Sequence, residues 1–141
     1  MIRVTKRVEF CAAHSYANPA WSEAENRRVF GKCGNVHGHN YVLEVTIQGE
    51  ASPETGMVMD LKALKDIIVE TVVDRLDHKH LNRDLPYFKE KIPTPENLVV
   101  LIWELLEPGL EGHQGLRLDR VRLHEDGTCF VDYYGERVTG V

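Results

Sequence analysis

The chain has 141 residues with a formal net charge of −5, from 17 Lys and Arg against 22 Asp and Glu. That length suits one domain with a core of its own, and the acidic balance argues against a general nucleic-acid binder while leaving room for a locally positive pocket. Three widely spaced cysteines, Cys11, Cys33 and Cys129, without a Cys-x-x-Cys, indicate neither a disulfide framework nor a zinc ribbon. They fit a reducing compartment, with the cytoplasm the default. The amino terminus does not read as a signal peptide, and the longest apolar run, Leu98 to Trp103, is far short of a membrane span.

The first element is a strand. Ile2, Val4, Val8, Phe10 and Ala12 share even parity, and His14 closes the run on the same side. A polar stretch from Ser15 to Lys32 follows, long for a connection and therefore expected to belong to a site, with Ser22 placed to cap a short helix whose first turn is acidic. The second strand alternates His37, His39, Tyr41, Leu43, Val45 and Ile47 on one face. Residues i and i+2 of a strand project from the same side, so both imidazoles reach one ion. If the first two strands pair antiparallel, His14 becomes a third donor. Three neutral nitrogen ligands suit zinc and leave a fourth tetrahedral position for water or substrate.

The strand ends near Gly49, and Ser52-Pro53-Glu54-Thr55-Gly56 reads as a turn. Asp60 caps a helix carrying Leu61, Leu64, Ile68 and Val72 at spacings of three and four and ending near Leu76. A second helix begins with Thr94 as cap and Pro95 at the first helical position, and is expected to stop before Pro108-Gly109. Arg120 to Glu125 alternates again, and Asp126-Gly127 turns the chain into a last strand, Thr128 to Tyr134. The order β-β-α-α-β-β predicts an α+β domain, a four-stranded antiparallel sheet with two helices on one face. Its open face and edges would need cover, which oligomerisation supplies.

Cys33 lies four residues before His37 and next to Lys32, where a nearby cation would stabilise its thiolate as a base or nucleophile. The alternative makes Cys33 the fourth ligand of a closed site. Asp77 beside His78 is a possible proton-transfer pair, or else a solvated cap at the end of the helix. Glu125 shares the apolar parity of its strand and needs a strong donor, either a guanidine-like ligand edge or an arginine such as Arg122 or Arg137. His80, His113 and His124 are assigned to ordinary packing and hydrogen bonding.

Taken together, Phe10-Cys11-Ala12-Ala13-His14, Cys33-Gly34-Asn35-Val36-His37-Gly38-His39, Thr55-Gly56-Met57-Val58-Met59-Asp60, Leu76-Asp77-His78, Pro93-Thr94-Pro95-Glu96-Asn97 and Glu125 resemble the 6-pyruvoyltetrahydropterin synthase and 6-carboxytetrahydropterin synthase family. The resemblance implies a tunnelling fold assembled as a homohexamer of two trimers, with sites at subunit interfaces and neither nucleic acid nor membrane as partner. It implies Zn2+ on His14, His37 and His39, and 7,8-dihydroneopterin triphosphate as substrate. It also implies Cys33 as the proton-abstracting base, Asp77 and His78 as a relay serving a neighbour's Cys33, and Glu125 as the pterin anchor and a relay member. Arg27, Arg28 and Lys32 are offered as triphosphate contacts.

Two branches share these residues. The Cys33-x-x-x-His37 spacing resembles the queuosine-pathway enzymes, which release acetaldehyde, whereas the segment Ser22 to Lys32 resembles the pyruvoyl-forming enzymes. The cysteine spacing favours the carboxy branch. Asp126 departs from the threonine or serine usual after the anchoring glutamate, and a second carboxylate there would repel the first. A different zinc enzyme of the same fold, such as a pterin hydrolase, and a non-catalytic zinc or pterin binder stay open.

Overall fold

The computed structural model describes residues 1–136; Arg137, one proposed partner of Glu125, lies outside them. Two long strands, β1 (Ile2–His14) and β2 (His37–Gly49), pair antiparallel along their whole length, from Ile2 opposite Gly49 to His14 opposite His37. β4 (Arg117–Asp126) flanks β2, and β5 (Cys129–Tyr133) forms a hairpin with β4. The turn between them closes as expected, with Asp126 Oδ1 accepting from the Thr128 amide at 2.7 Å and the Thr128 hydroxyl at 2.6 Å.

The helices lie on the face carrying Phe10, Tyr41, Leu43, Val45, Val121 and Leu123, all buried. α2 (Leu61–Ile68) starts at Asp60, whose side chain accepts from the Lys62 amide, and contributes Leu64 and Ile68 to this core. α5 (Pro95–Leu110) starts at Thr94, whose hydroxyl accepts from the Asn97 amide at 3.2 Å, and contributes Leu98, Ile102 and Leu106. Between β1 and β2, α1 (Glu23–Phe30) is capped by Ser22 as the sequence predicts, and a 3-10 turn, Gly31–Gly34, leads into β2.

The architecture is α+β, but it departs from the expected one in four places. The sheet has five strands in the order β3-β1-β2-β4-β5 and is mixed, because the two-residue β3 (Lys79–His80) runs parallel to β1. Two residues are too few for periodicity to signal. The helix after Asp60 passes through a π-helical stretch, Val69–Val73, before the short α3 (Asp74–Leu76). There Thr71 Oγ1 donates to the Ile67 carbonyl at 2.6 Å, and three β-branched neighbours crowd the turn.

The third departure is that α5 runs on through Pro108-Gly109. A proline this near the end removes only one intrahelical bond, and buried Leu110 anchors the last turn. Gly109 lets the helices approach closely: a Cβ there would lie 2.8 Å from the Ile67 methyl Cγ2. After β3 the chain forms the short α4 (Leu81–Asp84) and a 3-10 turn, Pro86–Lys89, neither foreseen from the sequence. No helix among the described residues is long and apolar enough to cross a membrane.

Candidate metal and pterin site

The pairing of His14 with His37, and of Ala12 with His39, puts three imidazoles on the core face at one end of the sheet. His14 is fully buried, while His37 and His39 are partly buried. Their donor atoms all lie within 4.8 Å of one another. The ring of His14 stands 4.5 Å from that of His37 and 5.0 Å from that of His39, centroid to centroid.

Hydrogen bonds orient the rings. His14 Nδ1 lies 2.8 Å from the Pro93 carbonyl and His37 Nδ1 lies 2.7 Å from the Asn35 carbonyl, so each Nδ1 donates and each Nε2 is left with a lone pair. The two Nε2 atoms are 3.0 Å apart. Burial, opposed by the bond to Pro93, lowers the pKa of His14 to about 4, with His37 and His39 adding in the same direction. Facing lone pairs repel unless a cation lies between them. His39 Nε2, buried without a hydrogen-bond partner, completes the set. Three neutral nitrogens aimed at one point fit zinc, and the carbonyl bonds to Nδ1 are the outer contacts that metal-binding histidines usually make.

Glu125 sits on the same face, at a bulge where β4 carries one residue more than β5. Its Oε1 is 3.7 Å from His39 Nε2, beyond hydrogen-bond reach, and its Oε2 accepts from the Tyr16 hydroxyl at 3.3 Å. Arg122, the other arginine proposed for Glu125, is held by Asp132 instead, through bonds of 2.7 and 2.9 Å. Among the described residues no arginine meets the Glu125 carboxylate, which lies beside His39 and Tyr16. Asp126 does not crowd it, because its own carboxylate is turned into the hairpin and hydrogen bonds from Thr128 hold its pKa down.

Cys33 is exposed on the 3-10 turn. Its carbonyl accepts the Tyr16 amide at 2.9 Å, which ties the turn to the end of β1. The sulfur is not among the converging donor atoms. Asp77 and His78 do face each other, with His78 Nδ1 donating to Asp77 Oδ2 at 2.9 Å, but they cluster with Cys11 rather than with the three histidines. Of the basic residues proposed for triphosphate, Arg28 is paired with Glu25 on α1, while Arg27 lines a surface hollow with Tyr16, Asn26 and Asn35.

Two tyrosines were missed. Burial and then the charge of Glu125 push the Tyr16 phenol up, with Cys33 contributing further down; burial raises that of Tyr41, whose hydroxyl is 3.3 Å from His14 Nδ1. Tyr41 was legible as a neighbour on the strand, whereas nothing in the pattern marks Tyr16. Among the histidines assigned to ordinary packing, His124 bonds Glu44 and His113 is exposed. His80 departs from that assignment, since both ring nitrogens are buried without a hydrogen-bond partner among the described residues.

The family described as 6-pyruvoyl tetrahydropterin synthase matches residues 3–136, and the chain belongs to it. It is a lyase of either the pyruvoyl or the carboxy branch. It is 42% identical over 133 residues to the 6-pyruvoyl tetrahydrobiopterin synthase of Dictyostelium discoideum, covering 94% of this chain and 96% of that one. The 6-carboxy-5,6,7,8-tetrahydropterin synthase of Rickettsia bellii is 30% identical over 151 residues, covering 94% and 99%. The solved 6-pyruvoyl tetrahydropterin synthase of Caenorhabditis elegans superposes with a TM-score of 0.88 at 34% identity, covering 96% of each chain. These likenesses run against the carboxy branch that the cysteine spacing favours. One spacing is a single local feature, and identity over the whole chain outweighs it.

Proposed function

We propose that the chain is a zinc-dependent lyase that eliminates triphosphate from 7,8-dihydroneopterin triphosphate to give 6-pyruvoyl tetrahydropterin. The observation that carries the pyruvoyl branch is the 42% identity to a pyruvoyl enzyme across nearly the whole of both chains, against 30% to a carboxy enzyme. In this reading His14, His37 and His39 hold zinc, and the bound ion supplies Lewis-acid polarisation of the substrate's side-chain hydroxyls. Glu125 accepts hydrogen bonds from the guanidine-like edge of the pterin, with Tyr16 fixing the carboxylate from the other side.

Cys33 takes a proton from the substrate side chain. Its position beside Tyr16, whose ring contacts those of His14 and His37, and outside the histidines' donor set suits a base that reaches the substrate and not the metal. Asp77 and His78 carry the proton onward. In one chain they stand beside Cys11, which supports a site completed by a second subunit whose Asp77 and His78 approach this chain's Cys33. A homohexamer provides that arrangement and covers the open face of the sheet.

Incubating the zinc-loaded protein with dihydroneopterin triphosphate tests the reading. Triphosphate release without acetaldehyde is expected. Acetaldehyde would move the chain to the carboxy branch, and an unconsumed substrate would overturn both branches.

A further inference from the structure

A second group of donor atoms converges at the β1–β3 edge, apart from the histidine cluster. Cys11 Sγ, a carboxylate oxygen of Asp77 and a ring nitrogen of His78 all lie within 4.8 Å of one another. Backbone bonds fix them. Asp77 Oδ1 accepts the Cys11 amide at 2.9 Å, and the His78 amide donates to the Cys11 carbonyl at 2.7 Å. His78 has φ 62°, in the left-handed region that a non-glycine residue adopts where its surroundings impose it.

In the single chain the group opens outward, on the side that the proposed assembly turns toward a neighbour's Cys33. His78 is largely exposed, and a groove of about 370 Å³ lined by Cys11, Ala13, Gly38, Asn40 and His78 leads to it. Gly38 keeps the floor of that groove low, since a Cβ there would lie 3.2 Å from the Ala12 carbonyl oxygen. A thiolate, an imidazole and a carboxylate form a ligand set for a borderline-soft divalent ion. With bonds of about 2.0–2.3 Å, tetrahedral geometry needs donors roughly 3.3–3.7 Å apart, within reach of small side-chain rotations here.

We infer that Cys11, Asp77 and His78 form a second binding site for a zinc-like divalent cation, and that filling it stops turnover. On binding, the Cys11 thiol loses its proton to solvent. His78 moves its proton from Nδ1 to Nε2 and turns the Nδ1 lone pair to the ion, while Asp77 is already held ionised by its bonds to Cys11 and His78. One proton is released per cation. Binding stands on the donor geometry alone; the inhibition rests on the proposed relay, because a coordinated His78 no longer carries a proton.

Titrating the metal-stripped protein with Co2+ separates the two. Two equivalents per chain are expected, the second bringing a thiolate-to-cobalt charge-transfer absorption. Cys11→Ala should lose that equivalent and the absorption, and Cys33→Ala should keep both. Cys11→Ser, nearly the same size, serves if the alanine variant folds poorly. A single equivalent in the wild type, or an absorption that survives loss of Cys11, overturns the site. Excess Zn2+ should inhibit the wild type and spare Cys11→Ser; two equivalents without inhibition would leave the cation site standing and overturn its tie to the relay.

Discussion

Glu125 shows how one backbone irregularity determines what a side chain can do. Strand parity alone directs it to the core face, where an unpaired carboxylate would be costly. The bulge in β4 and the Tyr16 hydroxyl hold it at the rim of that face, with 18% of its side chain exposed, next to the histidines and with no arginine partner among the described residues. A carboxylate that accepts two N–H groups of a ligand loses the charge-assisted part of that bond when it becomes an amide, worth about 1.5–3 kcal/mol. Glu125→Gln should therefore weaken pterin binding by roughly 10- to 100-fold while leaving the zinc content unchanged. Pterin titration and metal analysis on the same sample read the two effects. A loss of zinc in step with pterin would mean that Glu125 supports the metal instead. The sequence singled out Glu125 through its parity; Tyr16 escaped because a tyrosine in a polar connection has no periodic neighbours to give it a direction.

Among the elements, the cap of α5 adjoins the histidine cluster. Thr94 caps the helix, and the residue before it supplies the carbonyl that fixes the His14 ring. Removing a threonine cap costs about 1 kcal/mol, and disturbing an outer-shell partner of a metal-binding histidine costs roughly 10- to 100-fold in affinity. Thr94→Ala should lower the melting temperature by a few degrees and weaken zinc binding by up to about tenfold, as measured by thermal unfolding and competition with a chelator. Unchanged zinc affinity in a destabilised variant would show that Pro93 keeps its place without the cap. The cap itself was legible from Thr94-Pro95-Glu96. Its link to His14 was not, because 79 residues separate His14 from Pro93.

For the molecule as a whole, the grouping of Asp77 and His78 with Cys11 rather than with Cys33 makes assembly part of the proposed chemistry. Each of Cys33→Ala and His78→Ala should be nearly inactive alone. Mixed oligomers of the two variants, formed by denaturing and refolding them together, should regain a definite fraction of wild-type turnover, because some interfaces then receive both intact groups. Mixtures as inactive as their components would place the complete site within one chain. Exposed Val36 and Phe130 give such an assembly apolar surface to bury.

Periodicity, caps and turns specify the two long strands, the starts of both main helices, the last hairpin and the common face of His37 and His39 before any fold is known. These signals are local, set by residues within a few positions of one another. It took the folded chain to show that β1 and β2 align in the register that brings His14 opposite His37, that Asp77 and His78 dock on Cys11 beside the two-residue β3, and that Arg122 pairs with Asp132 rather than with Glu125. Those contacts join residues far apart in the chain, and each is selected by competition among several possible partners for one hydrogen bond or one buried charge. A linear pattern does not encode the outcome of that competition.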